Sequence, residues 1–173
     1  MISGRSLMAG ITVVTDNLVA HLRKLTFSAP VTHTYNPLVY ARSGYDRYLA
    51  RFGGTAKPVI LVGMNPGPFG MAQTGVPFGD VTMVKGWMGI TATVAQPVNV
   101  HPKRPIAGFS CTRKEVSGRR LWGWAKQRYG NPEVFFKQFL VLNYCPLVFM
   151  EESGRNRTPD KLPATEKKRL FQI

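Results

Sequence analysis

A chain of 173 residues with 44% hydrophobic and 11% aromatic content carries enough apolar surface to close one globular domain over 1–173, which excludes a disordered or fibrous chain. Lys and Arg number 23 against 9 Asp and Glu, a formal net charge of +14 with a pI near 10.3, and this argues against a small neutral ligand as the sole partner and for a polyanion, DNA or RNA. The excess gathers after position 100, in His101-Pro-Lys103-Arg104, Arg113-Lys114, Arg119-Arg120, Lys126 and Arg128, Arg155 and Arg157, and Lys167-Lys168-Arg169; any one run is ordinary solvated surface, and the sum carries the weight. No apolar run of about 18 residues occurs, and Met1 to Ala20 holds Thr12 and Asp16 inside its apolar stretch, unlike a secretory segment, so an intracellular protein without membrane association is expected. Cys111 and Cys145 lie far apart with no Cys-x-x-Cys or Cys/His cluster, so neither a metal nor any other cofactor is expected.

Along the chain, Val14, Leu18, Leu22 and Leu25 recur at helical spacing and predict an amphipathic helix over 13–25, followed by a loop containing Pro30, Asn36 and Pro37. A second helix is expected from Tyr45 to Phe52, stopped by Gly53-Gly54. Pro58-Val-Ile-Leu-Val62 is a short, β-branched apolar run that reads as a buried parallel strand, and the Gly/Pro-rich segment 63–80 leaves its carboxyl end, where open α/β sheets place their ligands. A helix over 117–130 with Leu121, Trp122, Trp124 and Ala125 on its apolar side precedes a second buried strand, Phe139 to Asn143, and a final helix is expected from Leu162 to Ile173. Two parallel-strand candidates fall short of the four or so that a stable doubly wound sheet normally needs, and the last segment ends on an apolar residue without a helix cap. A parallel sheet cut short at its C-terminal end is the reading that follows.

The segment Gly63-Met64-Asn65-Pro66-Gly67-Pro68-Phe69-Gly70 has the glycines of a phosphate cradle, but no Gly-Lys-Ser/Thr follows and the spacing is neither that of a P-loop nor Gly-x-Gly-x-x-Gly. Glycines and prolines together make a backbone that approaches a planar ligand closely and holds one shape. Asn65 can aim a carbonyl at a water and its amide at another acceptor, although forming a turn is the commoner role of such a residue. Gly63 to Asp80 resembles the first motif of the single-strand-selective monofunctional uracil-DNA glycosylases, within the uracil-DNA glycosylase superfamily. The similarity runs from about His21 to Ile173, through Phe27-Ser-x-Pro30, Tyr35-Asn-Pro37, His101-Pro-Lys-Arg-Pro105, Glu115-Val-Ser-Gly118, Asn131-Pro-Glu-Val-Phe-Phe136, Asn143-x-Cys-Pro-Leu147 and Ser153-Gly-Arg-Asn156.

The resemblance implies a three-layer α/β/α fold, a parallel sheet with flanking helices, incomplete for want of its C-terminal strands. It also implies base-excision DNA repair: a uracil, or a 5-substituted uracil such as 5-hydroxymethyluracil, is flipped out of single- or double-stranded DNA and its N-glycosidic bond is hydrolysed without strand cleavage. Asn65 matches the catalytic asparagine that orients water. Phe78 matches the aromatic that stacks on the base, with an ordinary core phenylalanine as the alternative. Asn143 matches the asparagine that reads the uracil edge, with a strand-end cap as the alternative. The backbone of Met64 matches a further substrate contact, its side chain packing inward, and Gly67 stands where a bulky residue elsewhere in the superfamily blocks 5-substituted pyrimidines. Ser153, Gly154, Arg155, Asn156 and Lys161 match a DNA-contacting loop, against the alternative of an exposed turn. The family's C-terminal histidine motif, which stabilises the departing uracil anion, has no counterpart in this sequence. His101 belongs to a different family string, and His21 and His33 have no catalytic counterpart. A weakly active or inactive form is therefore expected, with a non-catalytic nucleic-acid-binding fragment as the alternative, and in either case a monomer that works on DNA in the nucleus of a eukaryote or the cytoplasm of a bacterium.

Overall fold

The computed structural model describes the backbone of residues 4–173 and side chains from residue 9 onward. Helix α1 (Gly4–Leu22) starts well before the expected 13–25 and ends three residues sooner. It turns Thr15, Leu18, Val19 and Leu22 toward the core and leaves Val14 exposed, so Leu18, Leu22 and, beyond the helix, Leu25 follow the apolar spacing in the sequence and Val14 does not. The expected loop that follows contains a strand, β1 (Val31–Tyr35), and the short α2 (Pro37–Tyr40). Proline at the first turn and the Asn36 side chain, which accepts the Leu38 N–H at 3.1 Å, start α2. Helix α3 (Arg42–Phe52) begins three residues ahead of expectation.

Strands β2 (Val59–Gly63) and β3 (Phe139–Asn143) pair in parallel, Val59 opposite Phe139 and Gly63 opposite Asn143. Between them lie two short helices, α4 (Met71–Thr74) and α5 (Val81–Gly86), then α6 (Val116–Tyr129) and α7 (Pro132–Phe136), so the expected loop 63–80 is in part helical. After β3 the chain adds β4 (Val148–Glu151) and β5 (Asn156–Arg157), and α8 (Ala164–Phe171) falls within the expected final helix. The architecture is mixed α/β, as expected, but among the described residues its parallel component is this one pair. β1, β4 and β5 form a separate antiparallel sheet in the order β1-β4-β5.

The expectation that both parallel strands are buried holds for β3 alone. Val59, Ile60 and Val62 of β2 are exposed because, among the described residues, no further strand pairs with β2 and no helix layer covers these side chains. On the covered face Trp122, Phe135, Phe136, Trp87 and Tyr48 pack with Val141, the Phe52 and Phe136 rings stacking at 3.9 Å. Trp122 and Ala125 of α6 are buried as expected, whereas Trp124 lies outside against Tyr129. The antiparallel sheet seals a second core of Leu22, Val31, Leu147, Phe149 and Leu170. Among the described residues no helix is long and apolar enough to cross a membrane.

The free side of β3 is closed by one side chain. The buried Tyr48 hydroxyl donates to the Val141 carbonyl at 2.9 Å and accepts the Val141 N–H at 3.1 Å, supplying both bonds that a neighbouring strand would make, and burial pushes its phenol far above the usual range. Tyr48→Phe leaves a buried donor and acceptor unpaired. It is expected to lower stability by about 1–3 kcal/mol, seen as a lower midpoint in urea denaturation at unchanged slope.

Candidate functional site

Strand β2 ends at Gly63, and the pairing with β3 carries on past both strands: Tyr144 N–H donates to Gly63 O at 2.8 Å and Cys145 N–H to Met64 O at 3.0 Å. These bonds fix where the loop leaves the sheet. A Cβ on Gly63 would stand 2.5 Å from the Phe78 ring and 2.8 Å from Asn143 Oδ1, so only glycine lets those two side chains meet over the strand end.

The loop itself is held from below. The buried Gln73 of α4 donates to the carbonyls of Pro68 (2.9 Å) and Pro105 (3.2 Å) and accepts the N–H groups of Ala107 (2.9 Å) and Gly108 (3.1 Å), tying the loop to a distant segment with its amide fully used. Asp80, also buried, accepts from Met83 N–H at the start of α5 and from Glu115 N–H at the start of α6. Between them Phe78 adopts a left-handed φ of +54°, a conformation that costs a residue with a side chain of the order of 1–3 kcal/mol. Its carbonyl accepts Trp122 Nε1–H at 2.9 Å and Asp80 N–H at 2.8 Å, and Gly118 of α6 packs against that same carbonyl, so three elements hold the strained residue in place.

Asn65, Gly67, Phe78 and Asn143 all wall one small cavity of about 30 Å³, together with Pro66, Met71, Glu115 and Ser117. Asn65 Nδ2 donates to the carbonyls of Leu147 (3.1 Å) and Arg157 (3.4 Å), which commits its amide and turns Oδ1 the other way. Asn143 Nδ2 rests on Met71 Sδ at 3.1 Å, a weak acceptor that is easily given up. Glu115 and Ser117 were not singled out in the sequence, where only the string Glu115-Val-Ser-Gly118 stood out. The Glu115 carboxylate lies on Gly67, its Cδ 3.0 Å from the place a Gly67 Cβ would take, and accepts Ser117 Oγ–H at 2.6 Å. The cavity has room for little more than a water molecule, so a pyrimidine ring enters only when a wall moves.

Other expected residues lie elsewhere. The Met64 side chain does not pack inward; it is half exposed, and lines a separate surface hollow with Val62, Tyr144 and Phe171. Ser153 and Gly154 form the turn between β4 and β5, with Gly154 at φ +82° and Ser153 Oγ accepting Arg155 N–H at 3.2 Å. Arg155 and Lys161 are exposed, while Asn156 is half-buried in β5. Arg157, counted among the basic excess, is paired with Glu151 at 2.8 Å. His101 is buried beneath this turn: its Nδ1 accepts Lys103 N–H at 3.0 Å, so the proton sits on Nε2, facing the carbonyls of Glu151 and Glu152 at 3.1 and 3.2 Å. It thereby carries Lys103 and Arg104 to the edge of Gly154, and Arg104 and Arg113 lie over the Phe69 ring at 5.4 and 4.5 Å. None of the three histidines lines the cavity. Among the described residues there is no group of three His, Cys, Asp or Glu side chains suited to a metal ion.

No family model matches the sequence. Among curated proteins, the chain is 47% identical over 169 residues to the single-strand selective monofunctional uracil-DNA glycosylases of Rattus norvegicus and Mus musculus, and 46% identical over 171 residues to that of Bos taurus. The chain is homologous to these glycosylases almost from end to end. The alignments take in 98–99% of this chain and 61–63% of the relatives, so it spans about three fifths of their length. The crystal structure of wild-type SMUG2 from Pedobacter heparinus matches with a TM-score of 0.55 and 20% identity, over 88% of this chain and 63% of that one, a likeness of fold. In this glycosylase homologue Gly63 packs directly beneath Phe78 and Asn143. Gly63→Ala is expected to push Phe78 off the strand end, to cost about 1–3 kcal/mol of stability in chemical denaturation, and to shift the emission of Trp122, whose indole is bonded to Phe78.

Proposed function

We propose that the chain takes a uracil flipped out of single- or double-stranded DNA and hydrolyses its N-glycosidic bond without cutting the strand, as a base-excision repair enzyme that needs no cofactor and acts as a monomer. The observation that carries this reading is that Asn65, Gly67, Phe78 and Asn143, from the ends of two strands and the loop between helices, converge on one cavity. Asn65 cannot act as a base at neutral pH; with its amide anchored on two carbonyls, its Oδ1 is the atom that accepts a hydrogen bond from the attacking water. The C1′–N1 bond breaks first, its electron pair leaving with the base, which then takes a proton from solvent. Water adds to C1′ and gives its own proton to solvent.

Phe78 offers a ring face to the base, and Asn143 donates to O4 and accepts from N3–H. Cytosine presents the opposite pattern at these two atoms and is penalised by about 1–3 kcal/mol for each group left unpaired. Gly67 carries no side chain of its own, which suits 5-hydroxymethyluracil as a second substrate once the Glu115 carboxylate lying against it moves aside. Ser153, Gly154, Arg155, Asn156 and Lys161 hold the phosphates, with Lys103, Arg104 and Arg113 on the same face, and the DNA partner sets the place of work, the nucleus in a eukaryote or the cytoplasm in a bacterium.

A second reading, a module that binds nucleic acid and turns nothing over, is favoured by the absence of any histidine from the cavity wall, since the departing anion then lacks a cationic neighbour. Uracil release from single-stranded DNA separates the two. Asn65→Ala is expected to slow release by about 10²–10³, and equal release by both proteins would leave only the binding role. Affinity for DNA is expected to fall roughly tenfold to a hundredfold between about 50 and about 200 mM salt, measured by fluorescence anisotropy; a flat profile would remove the phosphate contacts from the scheme.

A further inference from the structure

We propose that the surface hollow beside Tyr144 and Phe171 is a second base subsite, which takes the unpaired neighbour of the flipped nucleotide by stacking it on these rings. The inference rests on the base-binding reading above and extends it from one nucleotide to the strand. The hollow has a volume of about 470 Å³, and its apolar walls are Val62, Met64, Tyr144 and Phe171. Tyr144 is 59% exposed and Phe171 44%, whereas Trp122, Phe135 and Phe149 are sealed in the cores. The two rings meet edge to face, with centroids 5.3 Å apart and planes at 66°, an arrangement that leaves ring faces uncovered.

Consecutive residues place the hollow back to back with the cavity. Asn65 and Asn143 line the cavity, while their neighbours Met64 and Tyr144 line the hollow, as alternate residues at paired strand ends do. The bonds from Tyr144 N–H to Gly63 O and from Cys145 N–H to Met64 O fix both sides of this partition. A strand that crosses the carboxyl ends of β2 and β3 therefore meets the cavity with one base and the hollow with the next. The rim suits that occupant. Helix α8 carries Lys167 four residues ahead of Phe171, on the same face, and Lys161, Lys168 and Arg169 belong to the same stretch, so positive charge for a sugar-phosphate backbone surrounds an apolar floor. Asp160 is the acid on this wall. Its carboxylate takes a hydrogen bond from Thr158 and stands near Lys161 and Lys167, which hold it below the usual carboxylate range and offset its charge. A base inside a duplex has both faces covered by its neighbours, so the hollow serves an unpaired stretch, and stacking of this kind is tolerant of sequence.

The test uses the whole 173-residue chain and single-stranded oligonucleotides carrying one uracil, in which the base on its 5′ or its 3′ side is replaced by a base-free sugar; affinity is read by fluorescence anisotropy. Removing the base on one of the two sides is expected to weaken binding by the native chain about tenfold, the worth of one stacked base. Tyr144→Ala is expected to bind the intact oligonucleotide about tenfold more weakly and to lose little more when that base is missing. Tyr144→Phe keeps the ring and the native affinity, and Phe171→Ala loses part of it. A 2-aminopurine in the neighbouring position reports the stacking directly: its emission falls on binding the native chain or Tyr144→Phe and does not fall with Tyr144→Ala. Through all three variants the preference for uracil over cytosine stays within about threefold of the native value. Equal affinity of the native chain and Tyr144→Ala overturns the subsite and leaves the cavity standing, as does a tenfold loss in Tyr144→Ala that persists in full when the neighbouring base is absent. A dimer of the native chain in light scattering that Tyr144→Ala abolishes gives the hollow to a second copy and likewise overturns the proposal. A native chain that does not distinguish uracil from cytosine overturns the base-binding reading, and the subsite placed beside it falls with it.

Discussion

Phe78 and Asn143 come from segments far apart in sequence, yet both occupy the volume that a side chain on Gly63 would need. That shared volume follows from the parallel register, which sets Gly63 opposite Asn143, and from the bonds that carry the pairing on through Tyr144 and Cys145. Shifting the register by one residue would turn Asn143 to the other side of the sheet and put a valine or methionine beneath the Phe78 ring. The backbone of Asn65 is placed by the same bonds, because it follows directly from the paired Met64. One strand pair therefore sets the relative positions of Asn65, Phe78 and Asn143, and the helices serve to keep that pair where it is.

The pair is supported unevenly. On one side β3 is backed by a dense aromatic core, and Tyr48 supplies the hydrogen bonds of an absent neighbour; on the other, β2 presents valine and isoleucine side chains to solvent. The strain held in Phe78 draws on the supported side, through Trp122, Gly118 and Asp80. The site's most demanding backbone geometry is thus anchored in the best-packed part of the molecule, the arrangement expected where local strain must persist against thermal relaxation.

Both parallel strands were legible in the sequence because short continuous apolar runs closed by glycine or asparagine have few other uses. The alternation in Val31-Thr-His-Thr-Tyr35 was equally regular, with buried ends and an exposed middle, but a short strand bracketed by prolines reads as loop until its partner Val148–Glu151 is known. Helix α1 was placed too late in the chain because the periodic Leu18 and Leu22 mark only its packed, C-terminal part. In the site, Asn65, Gly67, Phe78 and Asn143 stood out through the resemblance to the glycosylase motifs. Glu115 did not, since its approach to Gly67 depends on how α6 is seated by Asp80 and Gly118, and local sequence does not encode such a tertiary contact. The left-handed backbone of Phe78 was likewise invisible, phenylalanine being a residue type that rarely adopts it.

The glutamine beneath the loop has a consequence of another kind. Gln73 joins the loop to residues 105–108 through four hydrogen bonds, all between uncharged groups and all at least partly buried. Mobile ions screen charges but leave bonds of this sort almost untouched. The outer face, with its arginines and lysines, responds to every change in electrolyte, while the four bonds at Gln73 do not. The charge of the surface and the seating of the loop on residues 105–108 are thereby separable quantities in one small protein: the first follows the ionic composition of the surroundings, and the second does not.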